Sequence, residues 1–476
     1  MPQPRRIYLL DPKQLSPETI AVAFAKTSRS PQSFEEIAAE LSEKKSADFH
    51  EKWVVGYGHS SVAEHAVLHV AIENISRLAV ECLESNRLAS YTEKSSRYQV
   101  WEREHFHIPQ ELLGHPLESE YIRCCQLLFD HYQLALGKVT EYLKRQHPIR
   151  ENESERTYQQ HLKSAAADAC RYFLPAGSLA NVGMTINARA LEHAIIKMLS
   201  HPLMEVREIG REIKAVSQKN VPTLVKYAYE NVYLKFFEDS YPPNFGINSK
   251  KQSVDSSDWF TCVDCYEKGE DLILAALLYR FDQMPFAIAL STIQRLPEPE
   301  KKKLAGDLLG RLGDHDIPLR ELEYAGISID ILMDQGAYFE FKRHRMMTQT
   351  PQILSALNGF AMPSLLVDAG YGEQFKQDME EISGFYAELQ RFFPQAASYI
   401  VPNAFNRRVL VQMNLRSALH FIKLRSAPNA HFAIRRVALR MLQEVSDRFP
   451  LFTRYFQSIT QETVESVENT FFKKLI

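Results

Sequence analysis

The apolar positions along the chain mix strand-like and helix-like patterns. Ala66 to Ile72 (AVLHVAI) is β-prone and predicts a strand, while Glu118 to Arg145 and Phe375 to Phe392 space their apolar residues three and four apart, as helices with one buried face do. At Thr185-Ile186-Asn187 and Gln412-Met413-Asn414 an asparagine opens an apolar-periodic run. Asparagine in that place predicts a helix N-cap, its side-chain oxygen accepting an N–H of the first turn that has no partner inside the helix. Strand and helix together predict an α+β class.

The pattern repeats. RYFLPAGSLANVGMTINARALEHAIIKM, from Arg171, resembles SYIVPNAFNRRVLVQMNLRSALHFIKLR, from Ser398. Pro175 matches Pro402, Asn187 matches Asn414, Arg189 matches Arg416 and His193 matches His420, all at an offset of 227 (402 − 175). A second echo links ESNRLAS, around Arg87, to KRHRMMT, around Arg345, at an offset of 258 (345 − 87). The later copy is therefore shorter by 31 residues (258 − 227) between its two motifs. The polar stretch from Glu102 to Glu155 is the expected place of the difference, as a surface insertion in the first copy. Two repeats follow, 1–235 and 263–476, joined by a linker at 236–262 that contains SYPPNFGINSKKQSVDSSD.

Composition narrows the function. A length of 476 residues with 45% hydrophobic content supports more than one sizeable core. The net charge of −3, from 56 basic and 59 acidic residues, offers no general attraction for nucleic acid or an anionic membrane, so any phosphate ligand must meet local arginines. MPQPRRIYLLDP has too short an apolar run for a signal peptide, and no stretch approaches a membrane span, which predicts a cytoplasmic protein. Six irregularly spaced cysteines make no disulfide framework. Cys262-Val-Asp-Cys265 has redox or zinc-type spacing, but lacks the second ligand pair of a structural zinc site, and no metal is expected.

There is no GxGxxG after a strand and no GxxxxGK[ST], so a nucleotide would be held in another way. The densest polar cluster runs from Ser85 to Tyr98 and combines Glu93, Lys94, Ser95, Ser96 and Arg97. It suits either a solvated helix end or a phosphate site, in which Ser95, Ser96 and Arg97 donate to the anion and Glu93 accepts from a ribose hydroxyl. Lys342-Arg343-His344-Arg345 likewise suits either a solvated surface or the binding of a diphosphate or an electron-rich ring.

These residues carry a family resemblance. Gly58 to His65 (GHSSVAEH), Ile75-Ser76-Arg77, and Arg87-Leu88-Ala89-Ser90-Tyr91 with Glu93, Ser95, Arg97 and Tyr98 resemble the first half of a flavin-dependent thymidylate synthase. That family's hallmark is RHR followed by Ser-Tyr-x-Glu-x-Ser-x-Arg-Tyr. Arg343-His344-Arg345 matches its opening, and the paired Asn-x-Arg-x-x-x-His segments resemble the later flavin motif. The departures are complementary. The first copy has Ser85-Asn86-Arg87 in place of RHR but keeps Glu93, Ser95 and Arg97; the second keeps RHR but has Thr350-Pro351-Gln352-Ile353 in place of the loop. Arg171 of the first copy is replaced by Ser398 in the second, and Arg425 of the second is replaced by Met198 in the first.

The resemblance implies two tandem thymidylate synthase-like domains forming a pseudo-dimer. In the family, RHR and the uracil-facing arginine come from one chain and the Glu-x-Ser-x-Arg loop from another, so a fusion lets each copy keep one half-site. It implies methylation of dUMP to dTMP with FAD as cofactor and NADPH and methylenetetrahydrofolate as co-substrates, in a homodimer that mimics the family's tetramer. The dUMP set would be Glu93, Lys94, Ser95, Ser96, Arg97, Arg171, Glu340, Arg343 and Arg425, with Arg425 stabilising the ionised uracil as the catalytic group. The FAD set would be Ser61, Glu93, Arg343, His344, Arg345, Asn414, Arg416 and His420, with His59 and His315 lining the folate or flavin pocket. Glu340 stands where the family has Gln, and Cys82 stands there in the first copy; an anion at that place disfavours a phosphate. The alternative is a degenerate paralogue that binds flavin or nucleotide without synthase activity.

Overall fold

The computed structural model describes residues 6–28, 30–56, 60–239, 258–313, 315–455 and 461–474. The chain divides into two compact units, one comprising Met1–Lys94, Phe106–Glu118 and Gly177–Lys250, the other Ser95–His105, Ser119–Ala176 and Lys251–Ile476. The units cross the sequence repeats. The second unit takes in the Ser95–Arg97 loop and the helices Glu118–Gln146 (from Ser119) and Glu155–Cys170 of the first repeat.

In the first unit, β1 (Val67–Ser76), β2 (Ala89–Glu93) and β3 (Leu179–Asn187) form an antiparallel sheet of order β1-β3-β2. β3 shows why it is a strand: Ala180, Val182, Met184 and Ile186 are buried, while Asn181 and Gly183 between them are exposed, the period of two that a half-buried strand requires. Ser76 ends β1 and caps the helix Arg77–Glu84, its hydroxyl accepting from the Ala79 amide at 2.9 Å. Asn187 ends β3 and caps the helix Ala188–Leu199 in the same way.

The second unit holds β4 (Phe260–Cys265), β5 (Gly326–Asp334), β6 (Thr348–Pro351), β7 (Met362–Pro363), β8 (Asn406–Asn414) and β9 (Phe472–Lys474). Its main sheet has the order β4-β5-β8-β6, and β7 pairs with β9. The run β5-β8-β6 reproduces β1-β3-β2, at the two offsets found in the sequence: Ser76 and Asp334 are 258 apart and Asn187 and Asn414 are 227 apart. Both caps recur as well. The Asp334 carboxylate accepts from the Ala337 amide at 2.8 Å to start the helix Gln335–Phe341, and Asn414 Oδ1 accepts from the Ser417 amide at 2.9 Å to start Leu415–Arg425. Ile327, Ile329, Ile331 and Met333 of β5 and Val409, Val411 and Met413 of β8 face the core.

The expected helices occur as Glu118–Gln146 and Gly372–Phe392, and the expected strand is the longer β1. The expected surface insertion between Glu102 and Glu155 requires correction. The stretch holds a 29-residue helix that buries Tyr121, Cys124, Cys125, Leu128, Phe129 and Tyr132, and it leads into Glu155–Cys170, which buries Leu162, Ala166, Ala167 and Cys170. Only one long helix, Gly372–Phe392, stands between the matching motifs of the second copy, so the length difference is core helix. β4 begins at Phe260, within the stretch expected as linker; residues 240–257 of that stretch lie outside the described residues.

Candidate functional site

Glu340 is the anchor of the most highly charged cluster among the site candidates, and the local fold explains its position. β5 ends at Asp334, the cap there starts a helix whose seven residues are all buried, and Glu340 follows within that helix, 8% exposed. Burial pushes the Asp334 carboxyl up to about 6, against the Ala337 amide and the nearby Arg171 and Arg436 charges. Arg171 donates from Nη2 to the Gly336 carbonyl at 3.2 Å and reaches Glu340 Oε1 at 3.4 Å. A side chain at Gly336 would crowd this approach, since a Cβ there would lie 3.0 Å from Asp334 Oδ1 and 3.5 Å from Arg171 Nη2. The Asn403 amide holds the backbone carbonyl of Arg171 at 2.9 Å.

Arg425 closes the other side of Glu340. It ends the helix Leu415–Arg425, donates from Nη1 to Glu340 Oε2 at 3.0 Å and from Nη2 to the Glu340 carbonyl at 3.3 Å. Its Nε donates to His344 Nε2 at 2.9 Å, which requires that nitrogen to be unprotonated. Burial, with the charge of Arg425 next, pushes His344 down to about 3, so the ring is neutral at pH 7 and acts as an acceptor that orients the guanidinium. Burial also lowers Arg425, opposed by Glu340 and reinforced by the charges of Arg343 and Arg97. Arg425 remains cationic, because a guanidinium does not deprotonate in proteins.

Arg97 reaches the same neighbourhood from the first repeat. Ser95 Oγ accepts from the Arg97 amide at 3.2 Å, and the guanidinium grips Asp168 in a bidentate pair at 2.8 and 2.9 Å. Nη1 donates to the Asn429 carbonyl at 3.0 Å. Burial works against the Arg97 charge, but Asp168, then Glu340, outweigh it and raise its pKa. Asp168 is itself held by the buried His431, whose Nε2 donates to its carbonyl at 3.0 Å while Nδ1 accepts from the Ala433 amide at 3.2 Å. Burial, chiefly, and the charge of Arg171 push His431 well below the usual imidazole range. Arg97, Arg171 and Arg425 thus meet two carboxylates, Asp168 and Glu340, with the charge of Arg343 acting on Arg425.

The remaining candidates divide. Ser96 is buried, Arg343 is exposed and Arg345 is half-buried, all within the second unit. Arg416 is committed to Glu323 at 2.7 Å and to the Pro318 carbonyl at 3.0 Å, while His420 is exposed, its ring 5.7 Å from that of His344. Ser61, Glu93 and Lys94 belong to the first unit: Ser61 is exposed, Glu93 pairs with buried Arg77 at 3.3 Å, and the Lys94 amide donates to the Asn181 carbonyl. His315 is exposed; His59 lies outside the described residues. Asp168, Asp334 and His431 were not among the expected residues. The offset of 258 that pairs Asp334 with the cap Ser76 was a signal for the first of the caps, whereas nothing local marks Asp168 or His431.

Comparison with known proteins follows the repeat. The family model described as "Thymidylate synthase complementing protein" matches residues 10–223 and 265–451. A "UPF0159 protein" of Chlamydia muridarum (strain MoPn / Nigg) is 28% identical over 437 residues, covering 88% of this chain and 82% of that protein. A "Flavin-dependent thymidylate synthase" of Clostridium tetani (strain Massachusetts / E88) is 28% identical over 215 residues, 45% of this chain and 82% of that protein. A crystal structure of flavin dependent thymidylate synthase ThyX from Helicobacter pylori, complexed with FAD and dUMP, aligns with a TM-score of 0.30 at 22% identity over 45% of this chain and 96% of that one.

Proposed function

Given that this chain belongs to the thymidylate synthase complementing protein family over both of its repeats, we propose that it methylates dUMP to dTMP at a site built from the first repeat's Ser95, Ser96, Arg97 and Arg171 and the second repeat's Glu340, Arg343, His344 and Arg425. One observation carries the reading: guanidinium groups that the sequence splits between the two repeats gather around Glu340 and Asp168 in one compact unit. Clustered guanidinium groups of this kind suit a phosphate monoester, which carries about −1.5 to −2 at pH 7.

The chain's own residues would work as follows. Arg97 and Arg171 draw the phosphate, exchanging part of their contact with Asp168 and Glu340 for the incoming anion. Arg425 faces the uracil, and its fixed positive charge stabilises the negative charge that develops on the ring during reaction. Neutral His344 keeps that guanidinium oriented without competing for the proton. Asn414, Arg343, Arg345 and exposed His420 suit a polyanionic cofactor beside the capped helix; the FAD that this reading assigns there supplies the redox chemistry, with NADPH as reductant and methylenetetrahydrofolate as one-carbon donor. Glu93, Lys94 and Ser61 complete the proposed set, and the proposed assembly is a homodimer.

A second reading has its own support. Because Asp168 and Glu340 already pair Arg97, Arg171 and Arg425, the chain also suits a flavin- or nucleotide-binding paralogue without synthase activity. Rescue of a thymidine-requiring bacterium separates the two. The synthase reading expects growth with the native chain and with Arg87→Ala, and none with Arg97→Ala or Arg343→Ala. Folded, yellow native protein that binds dUMP yet gives no growth supports the paralogue.

A further inference from the structure

The cysteine pair of β4 lies outside the proposed nucleotide site, and the strand's register gives it a geometry that spacing alone does not. Two residues three apart on a regular strand point to opposite faces. Here the ladder slips: Cys262 pairs with Ile329, Asp264 with Ser328 and Cys265 with Ile327, so the segment between Cys262 and Asp264 bulges by one residue. Directly paired residues on adjacent strands share a face. Ile327 and Ile329 both face the core, and Cys262 and Cys265 therefore share that inner face with buried Phe260, while Val263 and Asp264 are turned out to solvent.

The bulge also shortens the backbone span between the two cysteines to two rungs of the ladder. Two rungs span roughly 6.4–6.8 Å, at the upper edge of the Cα separation of roughly 4.4–6.8 Å that a disulfide bridges. Cys262 Sγ leans along the chain to the Asp264 carbonyl at 3.6 Å, towards Cys265. Both thiols are half-exposed and free, whereas Cys124, Cys125 and Cys170 are buried. A metal is the poorer reading, since among the described residues no third His, Cys, Asp or Glu ligand groups with these two sulfurs.

We propose that Cys262 and Cys265 form a redox-active dithiol that closes reversibly to an intrachain disulfide, with a low-molecular-weight disulfide as oxidant. One cysteine thiolate attacks a sulfur of the oxidant, forming a mixed disulfide and expelling one thiol, which takes up the proton the cysteine released. The second cysteine attacks the protein sulfur of the mixed disulfide and expels the second thiol. The protein gives up two electrons and two protons, and the oxidant becomes two thiols. Burial raises both thiols above their ordinary range, against the pull of nearby Arg448, so closure is slow compared with that of an activated catalytic cysteine. At the bulge the pair marks one end of the sheet, where Gly326 of β5 lies opposite the helix cap Asn414.

The test treats the folded full-length chain with oxidised glutathione, removes the excess and titrates thiols after denaturation. Closure takes the six thiols of the chain to four, leaves the tryptic peptide Gln252–Lys268 lighter by two hydrogens, and is reversed by dithiothreitol. Cys262→Ser and Cys265→Ser should each stop at the glutathione adduct on the remaining cysteine. A titre that stays at six, adducts on both cysteines of the native chain, or a link to any other cysteine overturns the proposal, and the native-chain readouts decide it even if a variant misfolds.

Discussion

Replacing Glu340 with glutamine removes one negative charge from between two guanidinium groups and leaves the shape nearly unchanged. The carboxylate lies 3.4 Å from Arg171 and 3.0 Å from Arg425, and all three side chains are at most 16% exposed. At that spacing and an effective dielectric near 20, each unit-charge pair has a gross attraction of about 4 kcal/mol. Desolvation offsets much of it, and breaking such a buried pair costs about 3 kcal/mol net. The glutamine oxygen can still accept from one arginine, so the expected loss in urea unfolding is on the order of 2–3 kcal/mol. The nucleotide responds in the opposite sense. With the competing anion gone, Arg171 and Arg425 are released to dUMP, and calorimetry should show Glu340→Gln binding it tighter by about tenfold to a hundredfold, or roughly 1.4–2.8 kcal/mol. Unchanged stability would refute the ion-pair reading. Unchanged or weaker dUMP binding would refute the view that Glu340 competes with the substrate for these arginines.

Two further outcomes follow from the caps and from His344. Asn414→Ala and Asn187→Ala should each cost about 1 kcal/mol of stability through loss of the cap, but in fluorescence titrations only Asn414→Ala should weaken FAD; equal flavin affinity in both variants contradicts the cofactor placement. His344 is held near 3 in the folded chain against 6.5 as its ordinary value, so its unfolded form binds a proton that the folded form refuses. The stability it contributes is complete above pH 6.5 and is lost as pH falls from 6.5 towards 3, at about 1.4 kcal/mol per pH unit. The unfolding free energy of the native chain minus that of His344→Asn should therefore shrink between pH 6.5 and 4.5, and a constant difference would show His344 to be protonated freely in the folded state.

What the sequence made legible was whatever depends on local period and local chemistry. The β-prone run Ala66 to Ile72 marked β1, three- and four-residue spacing marked the helices Glu118–Gln146 and Gly372–Phe392, and an asparagine before an apolar run marked both caps, because each is decided within a short stretch of chain. The two offsets marked the repeat, and the structure shows it as the matching orders β1-β3-β2 and β5-β8-β6. Ion-pair partners were not legible: Arg97 meets Asp168 at a separation of 71 residues and Arg171 meets Glu340 at 169, so only the assembled core selects them. The stretch from Glu102 to Glu155 reads as a surface insertion because it is strongly polar, although Tyr121, Cys125, Leu128, Phe129 and Tyr132 recur at the spacing of a helix with one buried face. β4 was hidden in a stretch read as linker from its Ser-, Asn- and Lys-rich part, even though Trp259, Phe260 and Thr261 favour a strand.

The most direct measurement is a calorimetric titration of dUMP into the flavin-loaded chain and into Arg97→Ala, Arg425→Ala and Arg87→Ala. A nucleotide held by both repeats predicts at least a tenfold weakening, about 1.4 kcal/mol, for Arg97→Ala and again for Arg425→Ala, with Arg87→Ala binding as the native chain does. Native-like affinity in folded Arg97→Ala or Arg425→Ala, together with a loss in Arg87→Ala, would contradict a site shared in this way.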